Sequence, residues 1–484
     1  MGSEMARRRA LVALLVAVAV TACLPTFPDG SSARVSTSGG LALLEWDPAD
    51  DPDAGGSIDR YLIEIDGVVR ATVPAAPQQC RLVGLTAGRA YSIVVTAYDR
   101  AGEYSGDAED GGRLTTSYTP STGTGGTPGC TPTADADGDR LPDAVETGTG
   151  TYLSATDTGS SPNDPDTDDD GIDDGDEVLG TVVGLDLPTM GTSPVHQDLL
   201  FEVDWFVDSI DCGTHSHRIS DGAVDRLAAA FAAAPVANPD GETGIRVAVD
   251  RGQGGAFTGG NQVPDADGVI AGGVSGGDFG QIKRDHFAAN REGYFHYVLM
   301  PHRYNLTSTS SGQAEVNGDD MIVSLYCSHS DGNVANTMMH EVGHNLGLRH
   351  GGDENTNDKP NYNSIMNYRF QFPGVDTNCN PIGNGRLDYS SGTRPSLDEN
   401  ALVEAAGVCG PGAGVPWDWD GDSTIDVDPV RVDVNDADGL FGVLHDHDDW
   451  SAIRLDAVDD SDGAVPNALV DDVITEQPVP EAHR

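Results

Sequence analysis

Three histidines and a glutamate occur at a spacing that can bind and use a metal ion, in the stretch HEVGHNLGLRH. Residues four apart on a helix share one face, so His340 and His344 can bind the same ion while Glu341 stands beside it. Gly347 lets the chain leave the helix and bring His350 back as a third ligand. Three imidazoles leave one coordination position open, which is typical of a catalytic zinc site.

A second short segment, SIMNY, begins fourteen residues after the last histidine of that stretch. Together the two segments resemble the zinc-binding motif and the Met-turn of metzincin endopeptidases. The resemblance implies that Met366 forms an apolar floor beneath the imidazoles. It also implies that Tyr368, placed as in astacin- and serralysin-like enzymes, helps to hold the reaction intermediate. Gly351 departs from the family-specific residues at its position, so pappalysin-like, serralysin-like and other bacterial branches stay open.

These motifs predict a zinc endopeptidase that acts on proteins or peptides with one catalytic zinc ion. Glu341 is expected to take a proton from the attacking water and to return it to the departing amine. The alternative is a calcium-stabilised surface adhesion protein whose metalloprotease domain is inactive or latent. The intact glutamate and the three histidines favour the enzyme.

Acidic residues are concentrated in two windows, 131–178 and 416–462, which each hold 15 of the 78 aspartates and glutamates. Alternating carboxylates with glycine turns can direct several oxygens at a hard cation such as calcium. The first window resembles thrombospondin type 3 calcium repeats, and a further calcium loop is expected within 416–440. The expected calcium ligands are Asp135, Asp137, Asp139, Asp143, Glu146, Asp166, Asp168, Asp170, Asp174, Glu177, Asp418, Asp420, Asp422 and Asp426.

The beginning of the chain indicates export. Three arginines precede an apolar run, which predicts a signal peptide over 1–22. The segment ending at Cys23 resembles a bacterial lipobox, which implies acylation of that cysteine and a lipid-anchored tether over 23–33. The expected location is therefore the bacterial cell envelope, at the outer membrane or cell surface. The six later cysteines allow up to three disulfides, and Cys379 with Cys409 is one suggested pair.

Short runs of β-forming residues separated by turn residues predict a β-sandwich over 34–117. Trp46 in an early strand and the Leu85-to-Tyr91 segment resemble a fibronectin type III domain. The resemblance implies that the Tyr91 hydroxyl bonds to nearby backbone. A linker rich in threonine, glycine and proline is expected over 118–134, followed by the calcium repeats over 135–180.

The zinc motif requires a domain that positions it, and residues 195–484 are expected to supply one. Strands are predicted over 197–207, 244–250, 294–300 and 321–326, with helices over 222–234 and 396–406. Asp331 is the expected cap of the motif helix. His215 and His217 are interpreted as solvated loop residues.

The predicted fold is thus multidomain: a β-sandwich, acidic calcium-binding repeats and an α+β metzincin-like domain. A formal net charge of -51 argues against nucleic acid as a partner, because phosphate binding needs positive charge. The expected partners are protein substrates and the membrane that holds the lipid anchor. The sequence predicts no oligomeric state.

Overall fold

The computed structural model describes residues 24–52, 57–99, 105, 112–123, 125–264, 267–305, 309–435, 439–456 and 473–475. The predicted signal peptide over 1–22 and the predicted lipidation site Cys23 lie outside these residues. The chain forms two compact units, Met1–Thr133 and Ala134–Arg484.

The first unit is a sandwich of two four-stranded antiparallel sheets, ordered β1-β2-β5-β8 and β4-β3-β6-β7. Its strands are β1 (Ala33–Ser38), β2 (Leu41–Trp46), β3 (Ile58–Ile65), β4 (Val68–Pro74), β5 (Gln79–Val83), β6 (Tyr91–Asp99), β7 (Arg113–Tyr118) and β8 (Gly129–Pro132). β8 falls within the segment expected to be a linker. It joins the sheet because it pairs with β5 and because Cys130 forms a disulfide with Cys80.

Alternating inward residues of the two sheets form the core of this sandwich. Trp46 and Tyr61 pack edge to face with ring centroids 5.3 Å apart, and Ile63 and Val95 are fully buried. The backbone N–H of Thr86 donates to the Tyr91 hydroxyl at 2.9 Å. The hydroxyl-to-backbone bond predicted from the sequence is therefore confirmed.

The second unit contains a six-stranded sheet and the longest helix of the described chain. Its elements are α1 (Asp174–Leu179), α2 (Leu187–Met190), β9 (Asp198–Trp205), β10 (Val207–Asp208), β11 (His215–Ser216), α3 (Asp221–Ala232), β12 (Arg246–Asp250), α4 (Gly277–His286), β13 (His296–Met300), β14 (Gly312–Glu315), β15 (Asp320–Val323), α5 (Asp331–Asn345), α6 (Tyr368–Gln371), β16 (Leu397–Asp398), β17 (Val443–Leu444) and β18 (Val473–Thr475). Short 3-10 turns cover Ala289–Arg291 and Glu404–Ala406.

The large sheet has the order β12-β9-β13-β15-β14-β18. The first four strands are parallel, and β14 is antiparallel to both of its neighbours. β9 is an interior strand buried on both faces, and its sequence combines apolar residues with the buried acids Asp198, Glu202 and Asp204. Leu199, Phe201 and Val203 pack in the core that α3 and α5 share, while Leu200 faces a separate core on the other side.

The motif helix α5 is buried along most of its length. The Ser330 hydroxyl caps it by accepting from the N–H of Asn333 at 3.2 Å, so the prediction that Asp331 is the cap was off by one residue. At the other end, the Asn345 side chain donates to the carbonyls of Glu315 and Asp320 at 3.0 and 3.2 Å. The helix is thereby fixed to the turn between β14 and β15.

The acidic segment after residue 134 belongs to the same compact unit as this sheet. Ile172 packs with Leu200 and Phe206 in one apolar cluster. The Gln197 side chain donates to the carbonyl of Asp168 at 2.8 Å. The sequence suggested a repeat region over 135–180 separate from the domain over 195–484, whereas the structure joins them through these contacts.

One predicted helix is wrong. Residues 396–406 form the short strand β16 and a 3-10 turn rather than a helix. The reason lies in Glu404, whose carboxylate accepts the backbone N–H groups of Trp419 and Asp426, each at 2.8 Å. These bonds to a distant loop replace helical ones.

Among the described helices, none has the length and apolar character needed to cross a bilayer.

Candidate metal centre

The structure brings His340, His344 and His350 together. One ligand atom from each lies within 4.8 Å of the others. The ring centroids are 5.0 to 5.4 Å apart. Gly347 makes this possible because its φ of +98° is a left-handed conformation that turns the chain out of α5.

In two of these rings, a hydrogen bond determines which nitrogen faces the middle of the three-histidine group. Nδ1 of His340 lies 2.7 Å from the carbonyl oxygen of Ile365, and Nδ1 of His344 lies 2.7 Å from that of Leu348. A carbonyl oxygen only accepts, so both Nδ1 atoms carry the proton. The lone pair then resides on Nε2, which is the tautomer a metal ligand requires.

Glu341 is fully buried beside the histidines. Its carboxylate lies against the backbone of Gly312, the first residue of β14, where an added Cβ would overlap a carboxylate oxygen. Glycine at this position therefore leaves room for the acid next to the three imidazoles. No sequence motif pointed to Gly312, because its role depends on a contact between distant segments.

Met366 packs directly against Gly343 of the motif helix. Met366 is fully buried, and a Cβ on Gly343 would overlap its sulfur. The glycine between the first two histidines thus permits the methionine to approach the helix closely. Nearby, the Asn367 side chain donates to the carbonyls of Lys359 and Tyr362 at 2.7 and 2.8 Å and holds this turn in place.

Tyr368 is adjacent to the same cluster. Its ring centroid is 4.2 Å from that of His350 and 5.9 Å from that of His340. The ring is partly exposed. The tyrosine predicted from the sequence therefore lies beside two of the three histidines.

Local structure explains why residue 351, where this chain departs from the metzincin families, is a glycine. A Cβ there would overlap the carbonyl oxygen of Thr356. The buried ammonium group of Lys359 donates to the Gly351 carbonyl at 2.7 Å and pairs with Glu354 at 3.0 Å. The chain after the third histidine is thus folded back in a tight loop that leaves no space for a side chain.

Carboxylates from both acidic repeats meet in one cluster. Asp139 and Glu146 from the first copy lie with Asp174 from the second, all buried. Burial raises the pKa of Asp139 to about 8, that of Glu146 to about 9 and that of Asp174 to about 7. Asp135, Asp137 and Asp139 form an overlapping group, in which both carboxylate oxygens of Asp137 are buried without a hydrogen-bond partner among the described residues. Asp143 turns toward the backbone and accepts from Ala136 at 2.8 Å.

A second group contains Asp166, Asp168 and Asp170. Glu177 is 1% exposed, and burial followed by the charge of Asp170 raises its pKa well above its usual range. Burial raises the pKa of Asp168 to about 9. Both carboxylate oxygens of Asp168 and of Glu177 lack a hydrogen-bond partner within the described part of the chain.

Asp198, the first residue of β9, completes this acidic group and was missed in the sequence. Its backbone N–H donates to the Asp170 carboxylate at 2.7 Å, and its own carboxylate pairs with Arg246. Burial raises its pKa to about 6, against the opposing effect of Arg246. The sequence gives no signal of this role, because Asp198 lies outside the acidic windows and its contact joins segments that are far apart in the chain.

The predicted loop over 418–426 is mostly exposed, and its side chains bond to the loop's own backbone. Asp418 accepts the N–H groups of Gly421 and Ser423, each at 2.7 Å. Asp422 accepts the N–H of Thr424 at 2.8 Å. Asp420 and Asp426 lie in the same loop, where Glu404 accepts both of their N–H groups, at 3.4 and 2.8 Å.

Comparisons with known proteins concern the first unit. The fibronectin type III domain family matches residues 28–109, and a search of curated proteins found no match. Two solved structures are similar over 20% of this chain. They are the central fibronectin-III array of RIM-binding protein (23% identity, TM-score 0.16, 34% of that chain) and the Clostridium perfringens spore cortex lytic enzyme SleM (15% identity, TM-score 0.15, 27% of that chain). Residues 28–109 are therefore a fibronectin type III domain within a longer, multidomain chain.

Proposed function

We propose that the protein is a zinc-dependent endopeptidase. The observation that carries this proposal is the convergence of His340, His344 and His350 beside the buried carboxylate of Glu341. The donor set fits zinc, because two of the imidazoles are held in the tautomer that presents Nε2 and three nitrogen ligands leave an open position. The metzincin-like order of motif, glycine turn and Met366 supports the same assignment.

The three histidines would hold the zinc ion, which supplies Lewis acidity that polarises a peptide carbonyl and acidifies water. Glu341 accepts the proton of the attacking water and later delivers it to the amine that leaves. Its position against Gly312 restricts where the carboxylate can lie. Tyr368, beside His340 and His350, is suited to donate its hydroxyl proton as a hydrogen bond to the developing oxyanion.

The acidic clusters are proposed as structural calcium sites. Buried carboxylates with no hydrogen-bond partner, as at Asp168 and Glu177, are energetically costly unless a cation compensates them. Oxygen-rich groups of this kind match the ligand preference of calcium. Because Asp198 in β9 belongs to the second group, a calcium ion there would tie the acidic repeats to an interior strand of the sheet.

Export and attachment to a bacterial membrane through Cys23 remain part of the proposal. The disulfides Cys80–Cys130, Cys212–Cys327 and Cys379–Cys409 support an oxidising compartment. The third of these is the pair suggested by the sequence.

The experiment that tests the function measures cleavage of casein by the full chain. We expect cleavage that 1,10-phenanthroline abolishes and that added zinc restores. His344→Ala should lose the zinc bound by these three histidines and the cleavage, whereas His445→Ala, a histidine that bonds to Ser396 instead, should keep both.

The second candidate function is calcium-stabilised adhesion with an inactive protease domain, which the fibronectin type III domain favours. Fibronectin type III domains often serve as spacers or binding modules. One equivalent of zinc bound at His340, His344 and His350 with no cleavage of any protein substrate would support adhesion over proteolysis.

A further inference from the structure

A second group of histidines lies in the unit 134–484, apart from the three of the HEVGHNLGLRH motif. Asp208, His215 and His217 come from the β10–β11 hairpin, and His302 follows β13. His329 precedes α5. The interpretation of His217 as a solvated loop residue is wrong, because it is 3% exposed and faces the equally buried Asp208 and His302. His215 is partly buried.

The polar atoms of this group converge at distances that a metal ion could bridge. His302 Nδ1 lies 3.3 Å from His215 Nε2 and 3.6 Å from Asp208 Oδ1, and His215 Nε2 lies 3.7 Å from Asp208 Oδ1. These three separations exceed the usual 2.7–3.2 Å of a hydrogen bond, whereas His217 Nε2 hydrogen-bonds to Asp208 Oδ2 at 2.8 Å. Ligands at 2.0–2.1 Å around a tetrahedral zinc ion lie about 3.3 Å from each other. One ligand atom from each of these residues and from His217 fits within 4.8 Å of the others.

The outer nitrogen of every ring has a partner of its own. His215 Nδ1 donates to the carbonyl of Gly213 at 2.6 Å, and His302 Nε2 lies 3.3 Å from the Asp211 carboxylate. His217 Nδ1 lies 2.9 Å from His329 Nε2. Partners of this kind orient metal-bound imidazoles and raise their basicity. The inner nitrogens of the three rings thus face Asp208.

The environment suits a closed, structural ion. The side chains of Asp208 and His302 are inaccessible to solvent, and that of His217 is 2% exposed. Four protein ligands without an open position are the mark of a structural rather than a catalytic zinc site.

We infer that Asp208, His215, His217 and His302 form a second zinc site. The ion would join the β10–β11 hairpin to the end of β13, beside the Cys212–Cys327 disulfide that ties the same hairpin to the segment before α5. Asp211 and His329 are positioning residues, because they contact ligands rather than the ion. The inference is independent of the proteolytic function, since it uses none of the residues assigned to it.

The test is the zinc content of the full chain, purified without a histidine tag and dialysed against metal-free buffer. We expect two equivalents in the wild type, one in His215→Ala, one in His340→Ala and none in the double variant. His445→Ala serves as the control and should retain two. Circular dichroism of each variant checks that it is folded.

A separate measurement remains decisive if His215→Ala does not fold. In the His340→Ala variant, cobalt substituted for zinc should give the intense visible absorption of a tetrahedral site, and a chelator should lower the melting temperature. Absence of the cobalt bands would overturn the second site. A single zinc that is lost in His340→Ala and kept in His215→Ala would overturn it too, while leaving the proposed function intact. The reverse pattern would support the second site and contradict the catalytic one.

Discussion

At the scale of single residues, the candidate catalytic centre depends on small side chains as much as on its ligands. Gly312 makes room for the Glu341 carboxylate, and Gly343 makes room for the Met366 sulfur. Both glycines lack the positive φ that usually explains a required glycine, so their role is close packing. A methyl group at either position would displace a residue of the candidate site.

We predict that Gly312→Ala lowers kcat for casein by about tenfold or more, because a shift of about 1 Å in a catalytic group can cost 10²-fold. Zinc content should stay at the wild-type value, since the atoms nearest the added methyl group belong to Glu341 and Ile322. Gly332→Ala is the matched control, because a Cβ there meets nothing within 4 Å. An unchanged kcat for Gly312→Ala would show that the carboxylate position is not restrictive.

Tyr368 gives a second residue-scale prediction. Removing its hydroxyl in Tyr368→Phe keeps the ring against His350, so zinc binding and stability should be retained. If the hydroxyl holds the developing oxyanion, kcat should fall by roughly 10²-fold with little change in KM, as for loss of one oxyanion donor. Steady-state kinetics on a fluorogenic peptide distinguish this from a packing role, which would leave kcat unaltered.

At the scale of elements, the acidic repeats are predicted to be stable only with calcium. Asp168→Asn and Glu177→Gln should weaken calcium binding by more than about tenfold, because each removes a charged oxygen donor. Asp169→Asn is the matched control in the same turn, since Asp169 is exposed and asparagine tolerates its φ of +61°. Isothermal titration calorimetry gives the affinities, and equal affinities in all three variants would contradict the assignment.

The pH dependence of stability should reverse when calcium is removed. Burial raises the folded-state pKa of Asp168 and Glu146 to about 9 and that of Asp139 to about 8. In calcium-free protein, the free energy of unfolding falls as pH rises from the unfolded pKa near 4 through those values, because ionising these buried groups is costly. Acidification from pH 8 to pH 5 should therefore raise the melting temperature. With calcium bound, the ionised carboxylates are the ligands, and the same acidification should lower it. Parallel curves with and without calcium would refute this account.

Elements with a local signal were the ones that could be predicted from the sequence. The strands β9, β12, β13 and β15 and the helices α3 and α5 lie close to their expected positions, because apolar periodicity marks them. The three zinc-motif histidines and Tyr368 also lie together as expected. Asp198, Gly312 and the histidines around Asp208 could not be predicted, since their roles depend on contacts between residues far apart in sequence. The failed helix over 396–406 has the same cause, because Glu404 bonds to a remote loop.

At the scale of the whole molecule, the chain divides into a fibronectin type III-containing unit and a unit that holds both candidate zinc sites and the acidic clusters. The acidic segment is part of the second unit, so the division falls near residue 134. This organisation separates the module with no catalytic candidates from all of the proposed chemistry.

We predict that residues 134–484 alone fold and cleave soluble casein at a rate within about twofold of the full chain. The reason is that every proposed ligand of zinc and calcium and every proposed catalytic group lies in this unit. Melting curves and casein assays of the two forms in calcium make the comparison. Loss of folding in the shorter form would show that the first unit is required for stability.

The most direct test of the proposed zinc-dependent proteolysis compares Glu341→Gln with the wild type. Glutamine keeps the size of the side chain and removes its ability to take a proton from water. We predict that the variant retains its full zinc content and its melting temperature, and loses at least about 10³-fold in casein cleavage. Cleavage at a near wild-type rate by zinc-loaded Glu341→Gln would contradict the assignment of Glu341 as the general base and, with it, the proposed mechanism.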